Sequence, residues 1–106
     1  MQKEYAILLR MPPSEDRAPP PFAAIGKRLV QLRRAFGLNQ TEFAARLGLR
    51  QHTLSAWEIG ERRPGIDSAL LIRAEYGATL DWLYAGDHSG LGLKLADAIR
   101  HNKRLD

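Results

Sequence analysis

The side chains with the clearest chemistry lie in the middle of this 106-residue chain, and most of them are arginines. Residues 23–86 contain nine basic side chains and six acidic ones, and eight of the nine are Arg. A guanidinium presents a rigid fork of donors that pairs bidentately with phosphate and with the edge of guanine. An ordinary solvated helical surface carries similar charge, so charge alone leaves a polyanion-binding surface and a plain surface equally open.

Other kinds of chemistry are not indicated. The net charge is +4 and the chain has no cysteine, which excludes a disulfide framework, a thiolate zinc site and a Cys nucleophile. His88 and His101 have no second ligand at helical spacing, and no catalytic triad or phosphate-binding loop is visible. We therefore expect no metal, no cofactor and no enzymatic activity. The sequence has no run of about 18 apolar residues and no signal peptide, so we expect no membrane contact and a cytoplasmic protein, bacterial or phage-encoded.

The prolines and the apolar periodicity divide the chain into three parts. Residues 1–22 combine a short apolar run, Lys3–Arg10, with five of the six prolines, which predicts an extended arm and linker. In residues 23–86 the apolar side chains recur at helical spacing in five separate stretches, which predicts a five-helix domain. Residues 87–106 form a tail in which Leu91, Leu95, Ala98, Ile99 and Asn102 indicate a sixth helix. The fold class is therefore all-α.

Two of the predicted helices lie on either side of Gly48. The first opens with Asn39–Glu42, whose spacing matches a capping box. The two helices are separated by about three residues, which forces a steep crossing instead of an antiparallel hairpin. Ala44 is small where the helices cross, and the phases of Trp57 and Trp82 place both side chains in the core. This pattern predicts a helix-turn-helix.

The sequence here resembles the Cro and phage-repressor type of helix-turn-helix, also called Xre-like. The resemblance is carried by LNQTEFAARLGLRQHTLSAWEIGERRP, with IGKRLVQLRRAFG before it and SALLIRAEYGATLDWLYAGD after it. It covers roughly residues 23–86 and extends neither to the arm nor to the tail.

The resemblance assigns roles to single positions. Those implied to read base edges in the major groove are Arg50, Gln51, His52, Ser55 and Ala56. Those implied to contact DNA phosphates are Gln40, Thr53, Arg62 and Arg63. Arg33 and Glu58 match a pair that commonly forms an internal salt bridge between the first and third helices. The third helix of the family usually opens with a Ser or Thr cap, so Arg50 departs from the pattern and becomes the strongest candidate for a specific base contact or an extra phosphate contact.

The resemblance implies a sequence-specific DNA-binding transcriptional regulator of the repressor kind. It is expected to bind double-stranded DNA at an inverted-repeat operator as a homodimer. One alternative is the antitoxin and autorepressor of a toxin–antitoxin pair, with the toxin as protein partner. Another is a protein-interaction adaptor that has the fold but does not bind DNA. The Lys3–Arg10 run has three interpretations: a disordered extension, an edge strand on its own domain, or a strand that pairs with a second subunit. Its apolar content argues against disorder, and we expect the pairing with a second subunit to be the dimer contact. The C-terminal helix is the competing dimer surface.

Overall fold

The computed structural model describes residues 18–105, and all regular structure in that range is helical. The expected strand over Lys3–Arg10 and most of the Pro-rich linker lie outside the described residues. The six helices are α1 (Ala23–Ala35), α2 (Gln40–Arg46), α3 (Gln51–Glu58), α4 (Ile66–Tyr76), α5 (Leu80–Ala85) and α6 (Leu93–Arg100). The predicted all-α fold with a helix-turn-helix and a C-terminal helix is confirmed for this range.

Helix α1 forms the central support of the core. Its buried side chains include Ile25, Leu29 and Leu32, which recur at the helical spacing seen in the sequence. The helix ends at Ala35 with Phe36 as its C-cap, and Gly37 follows with φ of +68°, the left-handed conformation typical of a helix C-terminus. The opposite face of α1 carries Lys27, Gln31 and Arg34, which are exposed.

The turn between α2 and α3 is held by local hydrogen bonds and by close packing. Asn39 Oδ1 accepts from the Glu42 amide at 2.8 Å, while the Asn39 amide donates to Glu42 Oε1 at 2.9 Å. This is the predicted capping box. Ala44 is fully buried, and Gly48 has φ of +71° with open space around its Cα. The Gly48 position therefore demands glycine for its backbone conformation and not for lack of room.

Aromatic side chains join α2 to α4. The ring of Tyr76 stacks on Phe43 with centroids 4.1 Å apart and meets the edge of Phe36 at 4.9 Å. The Tyr76 hydroxyl donates to the Phe43 carbonyl at 3.0 Å. Trp57 and Trp82 are both buried, as their phases predicted. The contacts of Tyr76 with Phe43 hold α2 against α4.

Replacement of Tyr76 by Phe is expected to flatten the alkaline loss of stability. Burial raises the pKa of Tyr76 to about 12 from the ordinary 10.0, because the phenolate is poorly solvated there. Its contribution to stability is thus complete below the unfolded pKa of 10.0 and is lost as the pH rises towards 12. Between about pH 9 and about pH 11 the parent chain should lose about 1 kcal/mol more unfolding free energy than Tyr76→Phe, measured by urea titration. An equal loss in both chains would contradict this prediction.

The C-terminal residues share the core of the preceding helices. Leu95, Ala98 and Ile99 of α6 belong to the same buried cluster as the side chains of α1, and the Leu105 amide donates to the Ala35 carbonyl at 2.6 Å. The predicted helix was too long at both ends. Leu91 lies before α6, which begins after Gly92, and Asn102 lies beyond it with φ of +55°, a left-handed conformation that ends the helix.

Within residues 18–105, none of the helices has both the length and the apolar character needed to cross a membrane.

Candidate nucleic-acid interface

Helix α3 buries one side and presents the other to solvent. Leu54 and Trp57 face the core. Of the positions implied to read bases, Arg50, Gln51 and His52 are exposed, and Ser55 and Ala56 are half-buried. Arg50 is the N-cap residue and gives no side-chain capping bond, as its departure from the family pattern suggested. Its long side chain is therefore not used to cap its own helix.

A chain of hydrogen bonds runs from α1 to the start of α3. Arg33 Nε lies 2.7 Å from Glu58 Oε2, and Arg33 Nη2 lies 3.0 Å from Glu58 Oε1, a bidentate ion pair. Gln40 Nε2 donates to the same Glu58 Oε1 at 2.8 Å. Gln51 Nε2 then donates to Gln40 Oε1 at 2.5 Å. An ionised carboxylate only accepts, so Gln40 must turn its amide nitrogen to Glu58 and its oxygen to Gln51.

The ion pair between Arg33 and Glu58, with which this series of hydrogen bonds begins, is strongly shielded from water. The Glu58 side chain is 4% exposed and that of Arg33 is 16% exposed. The hydrogen bond with Glu58 raises the pKa of Arg33 above its ordinary value. Arg33 Nη1 also donates to the Leu38 carbonyl at 3.2 Å, next to the capping box of α2. The pair therefore ties α1, the start of α2 and the end of α3 together.

Gln40 has a different immediate environment from the one that the resemblance implies. Both polar atoms of its amide are engaged with protein side chains, so its contact with a DNA phosphate stays a prediction. A helix N-terminus still offers backbone N–H groups to an anion at this place. The hydrogen bond to Gln40 holds the side chain of Gln51 in one orientation at the start of α3 before any ligand binds.

The loop after α3 forms one wall of a cleft beside the outward face of that helix. The cleft has a volume of about 450 Å³ and is lined by His52, Thr53, Ala56, Trp57, Arg62 and Arg63. It brings together two positions implied to read bases and three implied to contact phosphate. No salt bridge within residues 18–105 involves Arg50, Arg62 or Arg63, so their charge is available to an anion.

The cleft wall is held from two sides. The Phe22 amide donates to the Gly60 carbonyl at 3.0 Å, and the guanidinium carbon of Arg63 lies 4.8 Å from the centre of the Phe22 ring. On the other side, the Tyr84 hydroxyl donates to the Pro64 carbonyl at 2.8 Å. The end of the N-terminal segment and α5 thus both position the loop that carries Arg62 and Arg63.

Sequence reasoning missed one residue of this face. Ile59 follows α3 directly and is 54% exposed. It lies seven residues after His52 and four after Ser55, and this helical spacing places it on the same outward side. The spacing was visible in the sequence, but an isoleucine at the end of a helix suggests a core position. The structure turns it to solvent because Leu54 and Trp57 occupy the core side.

The described part of the chain contains no cluster of three His, Asp or Glu side chains arranged to hold a metal ion. Comparison with curated proteins and with solved structures gave no match. A model of the helix-turn-helix family does match, over residues 29–83, slightly more than half of the chain. The matched span contains α2, the turn and α3. The chain therefore belongs to the helix-turn-helix family of DNA-binding regulators, in its Cro/C1-type branch.

Proposed function

We propose that this protein is a sequence-specific, repressor-like transcriptional regulator that places α3 in the major groove of an operator. The observation that carries the proposal is the cleft of His52, Thr53, Arg62 and Arg63 beside the exposed start of α3. A helix fits the major groove of B-DNA, and basic side chains flanking it reach the phosphates on either side. The arrangement provides both kinds of contact within one rigid unit.

The proposed contacts divide by chemistry. Arg50 suits guanine and Gln51 suits adenine, because each can form two hydrogen bonds to the respective base. His52 and Ser55 offer single hydrogen bonds, and Ala56 and Ile59 offer methyl groups to thymine. Thr53, Arg62 and Arg63 contact phosphates. Gln40 and the N-terminus of α2 also contact phosphate. Gln51 is the best oriented of the base-reading groups because Gln40 holds it.

The operator is proposed to be an inverted repeat bound by a homodimer. Two copies related by a twofold axis present their α3 helices to successive major grooves, with half-site centres about 34 Å apart. The dimer contact is proposed for the Lys3–Arg10 run, with the C-terminal helix as the competing surface. In-vitro selection of bound DNA from a random pool, followed by a salt titration of the winning sequence, tests operator binding, symmetry and spacing. Absence of any selected sequence would favour the adaptor alternative.

Substitution of Arg50 and of Arg62 by Ala should have different consequences. Arg50→Ala is expected to cost about 1–3 kcal/mol on the selected operator and to relax the preference at one position of each half-site. Arg62→Ala should weaken all sequences alike and reduce the salt slope by about one unit for each subunit. Arg100→Ala, which removes an exposed cation of α6, is the matched control. Equal loss of selectivity in the Arg50 and Arg62 variants would contradict the assignment.

A further inference from the structure

The outer face of α4 is an apolar surface that the rest of the described chain leaves uncovered. Ile66, Leu70 and Leu71 are 58%, 46% and 49% exposed, and Ala74 is also exposed. The opposite face of the same helix buries Ala69, Ile72 and Tyr76. A helix that is apolar on both sides normally has a packing partner on both sides. Here one partner is the core, and the second is not within residues 18–105.

We propose that this face binds the N-terminal arm of the partner subunit, through the run from Tyr5 to Leu9. The proposal rests on the homodimer put forward above. The outer face of α4, meaning Ile66, Leu70, Leu71 and Ala74, is here called the α4 patch. The proposed occupant of the α4 patch is a defined segment of the same sequence and not an unrelated protein.

Charge complementarity favours this occupant. On α4 the exposed charged residues beside the patch are Asp67, Arg73 and Glu75, two acids against one base, and both acids lie one helical turn from Leu71. Neither carboxylate takes part in a salt bridge within the described residues. In the arm the five apolar residues are flanked by Lys3 and Glu4 on one side and by Arg10 on the other, two bases against one acid. An apolar run whose flanking charges are net positive therefore meets an apolar face whose neighbouring charges are net negative.

The length of the linker allows the arm to reach the α4 patch of a partner subunit. The arm enters the domain at Phe22, whose amide is bonded to Gly60. Helix α4 begins six residues after Gly60, so it starts within about 20 Å of that point. The eleven residues 11–21 include five prolines, and a Pro-rich segment of that length extends to about 34 Å. That is about the spacing of two subunits on successive major grooves.

Cysteine cross-linking between differently tagged chains tests the proposal directly, because the chain has no cysteine of its own. One full-length chain carries Leu8→Cys and the other carries Leu70→Cys; they are mixed and oxidised with copper phenanthroline. The hetero-disulfide should form roughly tenfold faster than with Leu93→Cys as the second chain, because docking raises the local thiol concentration to about millimolar. Leu93 is a suitable control, since it is apolar and 90% exposed on another helix.

The remaining outcomes separate this proposal from the dimer itself. Light scattering of the unmodified chain reports whether a dimer forms. A dimer without faster hetero-disulfide formation overturns arm docking and leaves the dimer in place, and a monomer at all concentrations overturns both. A disulfide within one chain carrying both substitutions, with none between chains, overturns docking on the partner. A dominant Leu70–Leu70 disulfide would show instead that two α4 patches meet each other.

Charge reversal gives a second, independent measurement. Asp67→Lys with Glu75→Lys should raise the dissociation constant of the dimer roughly tenfold. Combining these changes with Lys3→Glu and Arg10→Glu should restore the parent value, which a loss of folding would not allow. Failure of the combined variant to recover would contradict the proposed pairing.

Discussion

Replacement of Glu58 by Ala is expected to lower the free energy of unfolding by about 3–5 kcal/mol, a large share of the 5–15 kcal/mol typical of a domain. The change leaves the Arg33 guanidinium in a site that is largely shielded from water, without its counter-charge. It also removes the acceptor of Gln40 Nε2. Urea unfolding monitored by the fluorescence of Trp57 and Trp82 measures the loss.

The matched comparison is the double substitution Arg33→Met with Glu58→Leu. Replacing both members of a buried pair with apolar side chains of similar volume is often neutral or stabilising, whereas removal of one member is costly. The double variant should therefore recover most of the stability lost in Glu58→Ala. A loss below about 1 kcal/mol in the single variant would mean that the pair behaves like an exposed one.

The same double variant separates stability from recognition. It removes the carboxylate that orients Gln40, and Gln40 orients Gln51. We therefore expect a folded protein whose preference at the base read by Gln51 is weaker, while its salt dependence is unchanged because no Lys or Arg contact to a phosphate is lost. Selection of bound DNA with this variant measures the change. An unaltered preference would show that Gln51 needs no support from Gln40.

Replacement of Gly26 by Ala is expected to destabilise the fold by about 1–3 kcal/mol, although Ala is favoured over Gly by about 1 kcal/mol within a helix. A Cβ at this position would collide with the Glu58 carbonyl oxygen and would lie 2.7 Å from that of Trp57. Both atoms belong to the backbone of α3 and cannot rotate away. Helix α1 must therefore move from α3, which also strains the ion pair between Arg33 and Glu58.

Gly65→Ala is the control for this second prediction. Gly65 is the N-cap of α4 and has an ordinary φ of −74°. A Cβ added at Gly65 would meet no atom within 4 Å. Its replacement should cost less than about 1 kcal/mol, the range of a capping effect. Urea unfolding of both variants gives the comparison, and a stable Gly26→Ala protein would show that α1 and α3 tolerate a wider separation than the structure has.

Much of the fold was predictable because its determinants are local. The apolar spacing of Ile25, Leu29 and Leu32 marked α1, and the capping box at Asn39–Glu42 marked the start of α2. Gly48 marked the turn because a left-handed backbone conformation is accessible to glycine at little steric cost. The C-terminal helix was placed less accurately, since Leu91 is buried without being helical and burial alone does not distinguish the two.

The sequence by itself thus determined the helices, the caps, the turn and the outward phase of α3, because each depends on residues within about one or two helical turns of each other. Only the tertiary structure decided which partner each polar side chain takes. Gln40 meets Glu58 eighteen residues away, and Arg33 meets the same carboxylate across twenty-five residues. It also decided that Gly26 is a point of backbone contact and that one face of α4 stays open. These features arise where separate helices pack. The local spacing of apolar residues does not indicate where a neighbouring helix lies.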